Sequence, residues 1–375
     1  MSVCVCLFAN TISYLEGGGH FWVYLNWALG LRALGCRIIW TEGVGGPAPE
    51  VCAAVAKLKE RLARYGLAED LALWSWDGER VPPEVAAGCH DLGTATEADL
   101  LLNFEYFLPA AVVGQFRRSA LVDIDPWLLQ LWIKEGRVDL ARHDVYFTTG
   151  ETVGQPGSKL ADGGRRWDYV PPCVALDWWP PCLAPEGSAF TTLSHWHAKE
   201  WVQDGDEEYV NDKRSGFLPF LDLPARTRQP LELALCLGDG DADDALDLRR
   251  RGWRVRESWE VASTPWDYQR YIQGSRGEFS CAKPSAVRMQ NAWVSDRTLC
   301  YLASGKPAVV QYTGPSRFLP DAGGLFRFRT PEAAARHLET AAADYERQSR
   351  LARGLAEEYF DARKVAAWLL ERALA

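Results

Sequence analysis

The segment that decides the fold runs from Trp293 to Gly314 and has the sequence WVSDRTLCYLASGKPAVVQYTG. Ser295 is a favoured helix N-cap residue and Asp296 follows in the first turn, so a helix is predicted from 296 to 303. Gly305 is placed to end this helix, and Pro307 then leads into a short apolar strand. The unpaired N–H groups and positive dipole at a helix N-terminus suit a diphosphate. The alternative is an ordinary capped helix before a core strand.

The same alternation of strand and helix extends over most of the chain. Before residue 150, short apolar runs predict strands at 3–9, 37–41, 100–104, 120–124 and 144–149. After residue 189, a second series predicts strands at 190–193, 231–237, 253–256, 279–282 and 307–311. Such runs separated by helices predict an α/β protein with two Rossmann-like, doubly wound parallel sheets facing a cleft.

A cluster of prolines separates the two series. Five prolines lie between residues 169 and 187, which is typical of an inter-domain connection. We therefore expect an N-terminal domain over 1–180 and a second domain over 181–354. The remaining segment, 355–375, is predicted to be a helix, because its apolar residues form a partial stripe at Leu355, Tyr359, Val365, Leu369 and Leu370.

Composition narrows the class of protein. The chain has 375 residues, a formal net charge of -9 and dispersed basic residues, so the sequence predicts that nucleic acid is not a partner. Its ten cysteines form no CxxC pair and no zinc-ligand spacing. No apolar run reaches the roughly 20 residues that span a bilayer, and the first residues resemble a buried strand more than a signal peptide. A reducing, cytoplasmic location is expected.

Four motifs carry a resemblance to a known family. In order they are EFSCAK at 278–283, WVSDR at 293–297, YLASGKP at 301–307 and QYTG at 311–314. They resemble a bacterial group of glycosyltransferase-like proteins with EFSxAK, WxSDR, YLAxGxP and QxTG motifs, and more broadly the GT-B glycosyltransferases. The resemblance implies a nucleotide-sugar donor, an unidentified acceptor, no metal or other cofactor, and a C-terminal helix that returns to the N-terminal domain.

The resemblance also implies where the donor binds. The donor-binding candidates lie at the first glycine-rich turn and around the helix at 296–303; they are Gly18, Gly19, Glu278, Lys283, Ser295, Asp296, Arg297, Thr298, Gln311, Thr313 and Gly314. Arg297 and Lys283 would contact phosphate. Retaining members often carry two glutamates where this chain has Ala292 and Cys300, so Glu278 or Asp296 is expected to replace the ribose-binding glutamate.

A second candidate site is Glu16-Gly-Gly-Gly-His20, at the first strand-to-helix turn. Glycines let a ligand approach the backbone closely at the carboxyl edge of a parallel sheet. The spacing from His20 to Gly35 matches that from the catalytic histidine to the helix end in many inverting GT-B enzymes, although Val23 stands where those enzymes often have proline. Imidazole suits a general base at neutral pH. The alternative is a histidine that merely begins a helix.

Several carboxylates and histidines complete the set of candidates. Asp123 and Asp125 end an apolar run and are expected to assist His20, with Glu105 as a third choice and helix capping as the alternative for Asp125. His195 and His197 lack a third nearby ligand, so no metal site is predicted.

These features predict a transferase that moves a sugar from a nucleoside diphosphate to an acceptor hydroxyl, with inversion favoured by His20 and by the missing glutamate pair. Two rivals share the fold: a sugar-nucleotide 2-epimerase, and a catalytically silent protein that binds a nucleotide sugar. A dinucleotide oxidoreductase is disfavoured because Gly17-Gly-Gly lacks the GxGxxG spacing. The oligomeric state is not predicted.

Overall fold

The computed structural model describes residues 2–198, 201–204, 206–238, 240–320 and 323–375. The chain forms two compact units. Unit 1 contains the residues up to Gly154, together with Ala161–Pro171 and Ala362–Ala375. Unit 2 contains Gln155–Leu160 and Pro172–Asp361. Apart from the short segment Gln155–Leu160, the chain changes unit at 171/172 and 361/362, whereas the limits expected from the sequence were 180/181 and 354/355.

Unit 1 is built on one parallel sheet. Its strands are β1 (Cys4–Ala9), β2 (Arg37–Val44), β3 (Leu71–Ser75), β4 (His90–Asp91), β5 (Leu100–Asn103), β6 (Ser119–Asp123), β7 (Val145–Thr148) and β8 (Trp167–Tyr169). Its helices before β7 are α1 (Gly18–Ala33), α2 (Ala48–Ala63), α3 (Pro83–Ala86), α4 (Leu92–Thr96), α5 (Ala110–Val113) and α6 (Leu128–Lys134). The strand order is β4-β3-β2-β1-β5-β6-β7-β8.

The central strands β1 and β5 of unit 1 are largely apolar, as expected for strands of a parallel sheet that is covered on both faces. Leu100, Leu101 and Leu102 are fully buried in β5, and β1 is buried from Val5 to Ala9. The strand order reverses at β1, whose neighbours are β2 and β5. Loops that leave the carboxyl ends of β1 and β5 therefore diverge, and open α/β sheets bind ligands at such a point.

Unit 2 contains a second parallel sheet and a small antiparallel hairpin. Its strands are β9 (Phe190–His195), β10 (Trp201–Asp204), β11 (Glu207–Val210), β12 (Leu231–Cys236), β13 (Arg254–Glu257), β14 (Gly277–Ser280), β15 (Ala308–Gln311) and β16 (Leu325–Phe328). Its helices are α7 (Lys213–Phe217), α8 (Ala242–Arg250), α9 (Ser258–Ala262), α10 (Pro265–Gly274), α11 (Pro284–Met289), α12 (Asp296–Ala303), α13 (Pro331–Ala343) and α14 (Tyr345–Tyr359). The β10–β11 hairpin was not predicted.

The larger sheet of unit 2 has the order β13-β12-β9-β14-β15-β16. Counted from β9 this is the 3-2-1-4-5-6 order of doubly wound nucleotide-binding folds, with the reversal between β9 and β14. Aromatic rings fill one face, where Phe279 stacks on Phe328 with ring centroids 5.3 Å apart. The predicted fold class is thus confirmed for both sheets.

The last helix, α15 (Ala362–Leu374), returns to unit 1 as the fold prediction required. It packs on α1, where a Cβ atom added to Gly30 would lie 2.6 Å from the carbonyl oxygen of Ala362. Arg118 Nε donates to the carbonyl oxygen of Ala373 at 2.7 Å. The returning helix begins later than residue 355, because α14 ends at Tyr359 and Val174 N–H donates to the carbonyl oxygen of Phe360 in unit 2.

Among the described residues, no helix has the length and apolarity needed to cross a bilayer.

Candidate functional site

Helix α12 follows the prediction at both ends. It spans Asp296–Ala303, and Ser295 Oγ accepts a hydrogen bond from Arg297 N–H at 3.3 Å. Gly305 ends it with a φ of +68°, in the left-handed region that favours glycine. Asp296 lies in the first turn, and Thr298 is buried against the interior of unit 2. The first N–H groups of α12 are therefore partly capped by Ser295, and the rest lack partners within the helix.

Arg297 and Glu278 form a buried ion pair across the reversal point of the sheet. Arg297 Nε lies 2.9 Å from Glu278 Oε1, and another guanidinium nitrogen donates to the carbonyl oxygen of Leu193 in β9 at 2.8 Å. Glu278 in β14 is fully buried, and within the described part of the chain its other oxygen has no hydrogen-bond partner. Both residues were predicted to meet the donor separately. The structure joins them in one ion pair.

Lys213, which the sequence analysis missed, lies beside this pair. It begins α7, and its Nζ donates to the carbonyl oxygen of Cys281 at 2.7 Å, immediately beyond β14. Burial of the ammonium group, with the nearby charges of Arg297 and Lys283, lowers the pKa of Lys213 to about 7. Three basic side chains, those of Lys213, Lys283 and Arg297, therefore lie near the carboxyl end of β14, and Arg297 is paired with Glu278. Basic groups gathered in this way favour a polyanionic ligand.

The loop that precedes α12 has an unusual backbone. Gln290 and Ala292 have φ angles of 54° and 59°, a conformation that costs non-glycine residues energy and concentrates at functional sites. Thr313 stabilises this loop: its carbonyl oxygen accepts from Ala292 N–H at 3.0 Å, and its hydroxyl donates to the carbonyl oxygen of Trp293 at 2.7 Å. Gly314 passes so close that an added Cβ atom would lie 2.5 Å from the carbonyl oxygen of Gln290.

Two further predicted donor contacts lie at strand ends in unit 2. Gln311 closes β15, and its Oε1 accepts from Ala282 N–H at 2.9 Å, which joins the ends of β14 and β15. Lys283 is the N-cap residue of α11 and is partly exposed. The structure thus gathers the predicted residues from 278 to 314 around one edge of the sheet. Thr313 and Gln311 use their side chains to shape that edge.

In unit 1, His20 lies at the carboxyl edge near the reversal point between β1 and β5. Its Nε2 is 2.6 Å from the carbonyl oxygen of Asn10, and its ring packs between Tyr14 and Tyr24. A carbonyl oxygen can only accept, so Nε2 carries a proton and the lone pair of the neutral ring is on Nδ1. Asn10 is held by Glu105, whose Oε2 accepts from Asn10 Nδ2 at 2.7 Å.

Glu105 is the carboxylate connected to His20 through Asn10, and burial raises the pKa of Glu105. Glu42 fixes the same loop from β2, because its buried carboxylate accepts from the N–H and hydroxyl groups of Thr11. Neither Asn10 nor Glu42 was identified from the sequence. Each of the two is a polar residue that follows a predicted buried strand, and this pattern could have marked both as candidates. Their contacts with His20 and Thr11 depend on the strand order, which the sequence does not show.

Asp123 is positioned differently from the expectation that it assists His20. It is fully buried, and its two oxygens accept four hydrogen bonds: from Tyr106 Oη and Asp125 N–H at Oδ1, and from Gln130 Nε2 and Thr148 Oγ1 at Oδ2. Burial raises its pKa. Asp123 therefore serves as an internal anchor. The carbonyl oxygen of Asp125 accepts from Leu128 and Leu129 N–H, which agrees with the helix-start alternative.

Two glycines of the predicted strand-to-helix turn, Gly18 and Gly19, belong to a helix. Gly18 and Gly19 open α1, and Gly17 precedes it without a side-chain cap. A Cβ atom on Gly17 would lie 2.3 Å from the ring of Tyr14, so a larger residue at that position would displace this ring. The N–H groups of Gly18 and Gly19 lie in the first turn of α1, where no intrahelical acceptor exists.

His195 and His197 do not form a metal site with each other. His197 lies among three carboxylates, with Nε2 3.1 Å from Asp241 Oδ1 and 3.4 Å from Asp244 Oδ2, and Nδ1 3.3 Å from Asp212 Oδ2. In the described ranges no group of three or more His, Cys, Asp or Glu side chains is arranged to hold a metal ion.

Comparisons with known proteins identify the fold. No protein-family model matches the chain, and no curated protein matches its sequence. Among solved structures, Anabaena HepE in complex with UDP and glucose is 12% identical with a TM-score of 0.58, and the match covers 99% of each chain. An alpha-glucosyltransferase in complex with UDP-glucose and DNA is 11% identical with a TM-score of 0.59, over 100% of each chain. The chain therefore shares the fold of these proteins.

The expectation from composition that nucleic acid is excluded as a partner is wrong. The acidic net charge and dispersed basic residues predicted that nucleic acid is not a partner. The alpha-glucosyltransferase of the same fold is found in complex with DNA, including a 13-mer with a central A:G mismatch. A protein of this architecture can thus bind DNA, and net charge does not decide the matter.

Proposed function

We propose that this chain is a glycosyltransferase that moves a sugar from a nucleoside-diphosphate sugar to an acceptor hydroxyl. The observation that carries the proposal is the group of Lys213, Lys283 and Arg297 at the reversal point of the unit 2 sheet. Charge of this sign, next to the N-terminus of α12, is what a diphosphate requires. The fold shared with HepE in complex with UDP-glucose supports the same ligand class.

Unit 2 would hold the donor. The diphosphate would rest on the first N–H groups of α12 and on the Lys213 ammonium group, whose positive charge a phosphate stabilises. Arg297 would stabilise the negative charge of the diphosphate electrostatically while it remains bonded to Glu278. Asp296 would accept from the ribose, and the strained loop at 290–293 would shape the pocket for the sugar. The start of α12 and Asp296 were among the donor contacts that the sequence resemblance implied, whereas Lys213 was not.

Unit 1 would supply the general base. With Nε2–H bonded to Asn10, His20 presents Nδ1 as its basic nitrogen. In the proposed step the acceptor oxygen bonds to the anomeric carbon while the bond from that carbon to the β-phosphate oxygen breaks. The acceptor proton passes to Nδ1, and the diphosphate leaves with the bonding electrons. This single displacement inverts the anomeric centre. Glu105 positions the loop that holds His20 and touches neither reactant.

The first experiment screens nucleoside diphosphates and their sugars by thermal shift, then measures release of the diphosphate from each stabilising donor. A ligand at 100 times its Kd adds about 2.7 kcal/mol to the free energy of unfolding, which a thermal shift detects readily. We expect stabilisation by at least one nucleoside diphosphate, and donor turnover that continues in EDTA because the chain's own cations stabilise the leaving group.

The outcomes separate the rivals. Conversion of the donor to its 2-epimer without diphosphate release would identify an epimerase, and binding without turnover on any acceptor would identify a silent binding protein. Absence of a shift with every nucleotide would refute donor binding. The His20→Asn variant should bind the donor normally and turn over about 100-fold to 10,000-fold more slowly. His90→Asn, a change at a partly exposed histidine on the edge strand β4 of unit 1, is the matched control.

A further inference from the structure

We propose that unit 1 carries a second anion site, separate from the donor site, which binds a small oligophosphate in an arginine-lined pocket at the amino edge of its sheet. The pocket has a volume of about 480 Å³. Its cationic lining consists of Arg118, Arg142, Arg165, Arg166 and Arg372. Five arginines in one pocket stand out in a chain whose net charge is -9.

The pocket lies opposite the edge that carries His20. Its lining residues precede β6, β7 and β8 or lie near the end of α15. His20 and Glu105 follow β1 and β5, at the carboxyl edge. A four-residue parallel strand such as β7 is about 10 to 13 Å long, so one small ligand cannot reach both edges. The pocket is therefore separate from the proposed catalytic residues.

Three of the arginines are already held in place. Arg118 Nε donates to the carbonyl oxygen of Ala373, and Arg372 Nε donates to Asp168 Oδ2 at 2.8 Å. Arg165 donates to the carbonyl oxygen of Gly163 at 2.9 Å and lies over the ring of Tyr146. A guanidinium group has five N–H donors, so each of these bonds leaves donors directed elsewhere. Fixed guanidinium groups lose little entropy on binding an anion.

The other two arginines are less engaged. Among the described residues Arg142 has no hydrogen bond or ion pair and is exposed. Arg166 lies 3.8 Å from Asp168 Oδ1, and its side chain is 81% exposed. Both side chains line the pocket and are exposed to solvent.

The acidic groups of the pocket do not neutralise it. Asp168 is shared by Arg166 and Arg372, and Asp144 accepts from the N–H and hydroxyl groups of Ser119 through Oδ2. Burial lowers the pKa of the neighbouring His143, which keeps it neutral at pH 7. Five arginine side chains therefore stand against the two aspartates and the backbone carboxylate of Ala375, which also lines the pocket. Planar guanidinium groups bind phosphate oxygens in pairs, and a concave pocket of this volume suits a small ligand.

The test uses the full chain and pyrophosphate as the probe, titrated by calorimetry into protein saturated with UDP-glucose so that a donor site is occupied. We expect a Kd that weakens at least about 10-fold in the double variant Arg142→Gln/Arg166→Gln. Arg117→Gln is the matched control, because Arg117 is exposed, pairs only loosely with Asp99 at 3.5 Å and does not line the pocket. This control should keep the wild-type Kd.

A second readout guards against misfolding. UDP-glucose affinity in the double variant should equal that of the wild type, since the two arginines lie in unit 1. Pyrophosphate should also raise the Tm of the wild type and leave that of the double variant unchanged. Absence of pyrophosphate binding to the wild type, or equal affinities in the wild type and the double variant, would overturn the proposal. Failure of UDP-glucose to bind would count against the proposed function only. The comparison of pyrophosphate affinity between the wild type and the double variant would still decide whether the second anion site exists.

Discussion

Lys213 gives the sharpest prediction, because its charge depends on pH in the range where binding is easily measured. In the free protein its pKa is lowered to about 7 by burial and by the charge of Arg297. A bound diphosphate next to the ammonium group favours its charged form and raises this pKa back towards the ordinary value of a lysine. Binding must then take up a proton whenever the free protein has lost it. The affinity for UDP should therefore fall as the pH rises above 7.

The size of the effect follows from the pKa. Phosphate groups with a second pKa near 6 are ionised throughout the range from pH 7.5 to 9, so UDP itself contributes little there. With a pKa of about 7 in the free protein, the Kd should rise about 25-fold between pH 7.5 and 9, equivalent to about 2 kcal/mol. At pH 8 about 0.9 proton should be taken up for each UDP bound.

Calorimetry in buffers of different ionisation enthalpy measures both the Kd and the proton uptake. The Lys213→Met variant should bind UDP weakly, with little dependence on pH over the same range. The Lys159→Met variant, a change at an exposed lysine of unit 2, should behave as the wild type. A wild-type Kd that is constant from pH 7.5 to 9, or the same pH dependence in Lys213→Met, would refute the reasoning.

The Lys213→Met variant is not expected to misfold. Between pH 7 and the ordinary lysine pKa of 10.5 the unfolded chain binds more protons at this position than the folded chain. The contribution of this group to the free energy of unfolding therefore rises with pH across that window. Below pH 7 its buried charge destabilises the folded state. The variant lacks that cost, so at pH 6 it should unfold at a higher urea concentration than the wild type.

Three further predictions concern the pair, the base and the returning helix. Arg297→Ala should lower the free energy of unfolding by about 3 to 5 kcal/mol, because it leaves the buried carboxylate of Glu278 unpaired; a loss of UDP affinity with unchanged urea stability would contradict this. For His20→Asn, kcat should fall about 100-fold to 10,000-fold while the Kd for the donor stays constant, which turnover assays and calorimetry would measure. Gly30→Ala should lower the free energy of unfolding by about 1 to 3 kcal/mol, because the added methyl group pushes the backbone of α15 away. Gly354→Ala lies in a helix with open space around it and should raise the free energy of unfolding by about 0.5 to 1 kcal/mol. Urea denaturation of both variants measures these changes.

Local sequence signals predicted the fold and the helix at the centre of the candidate site. The bounds 296–303 follow from Ser295 and Gly305, since a cap and a breaker act on adjacent residues. The two sheets follow from apolar runs at strand spacing, which also gave their parallel arrangement. Boundaries were less accurate where a helix begins at glycine, as α1 does at Gly18, because glycine is a weak helix former and favours the prediction of a loop.

Contacts across the sheet were not predictable in the same way. Arg297 and Glu278 are 19 residues apart in sequence. Lys213 lies much earlier in the chain, just after the β10–β11 hairpin, whose sequence shows no strong strand pattern. Their proximity depends on β9 lying beside β14, and a strand order is not encoded in any local motif. Asp123 was expected to face a ligand because it ends a strand, yet neighbouring hydroxyl and amide groups draw its carboxylate inward.

The most direct test of the account is an experimental structure of the chain with UDP. The account predicts the β-phosphate within about 3 Å of the Lys213 ammonium group and of an N–H group in the first turn of α12, the ordinary distance of a charged hydrogen bond. UDP bound elsewhere on the chain, with Lys213 still bonded only to the carbonyl oxygen of Cys281, would contradict it.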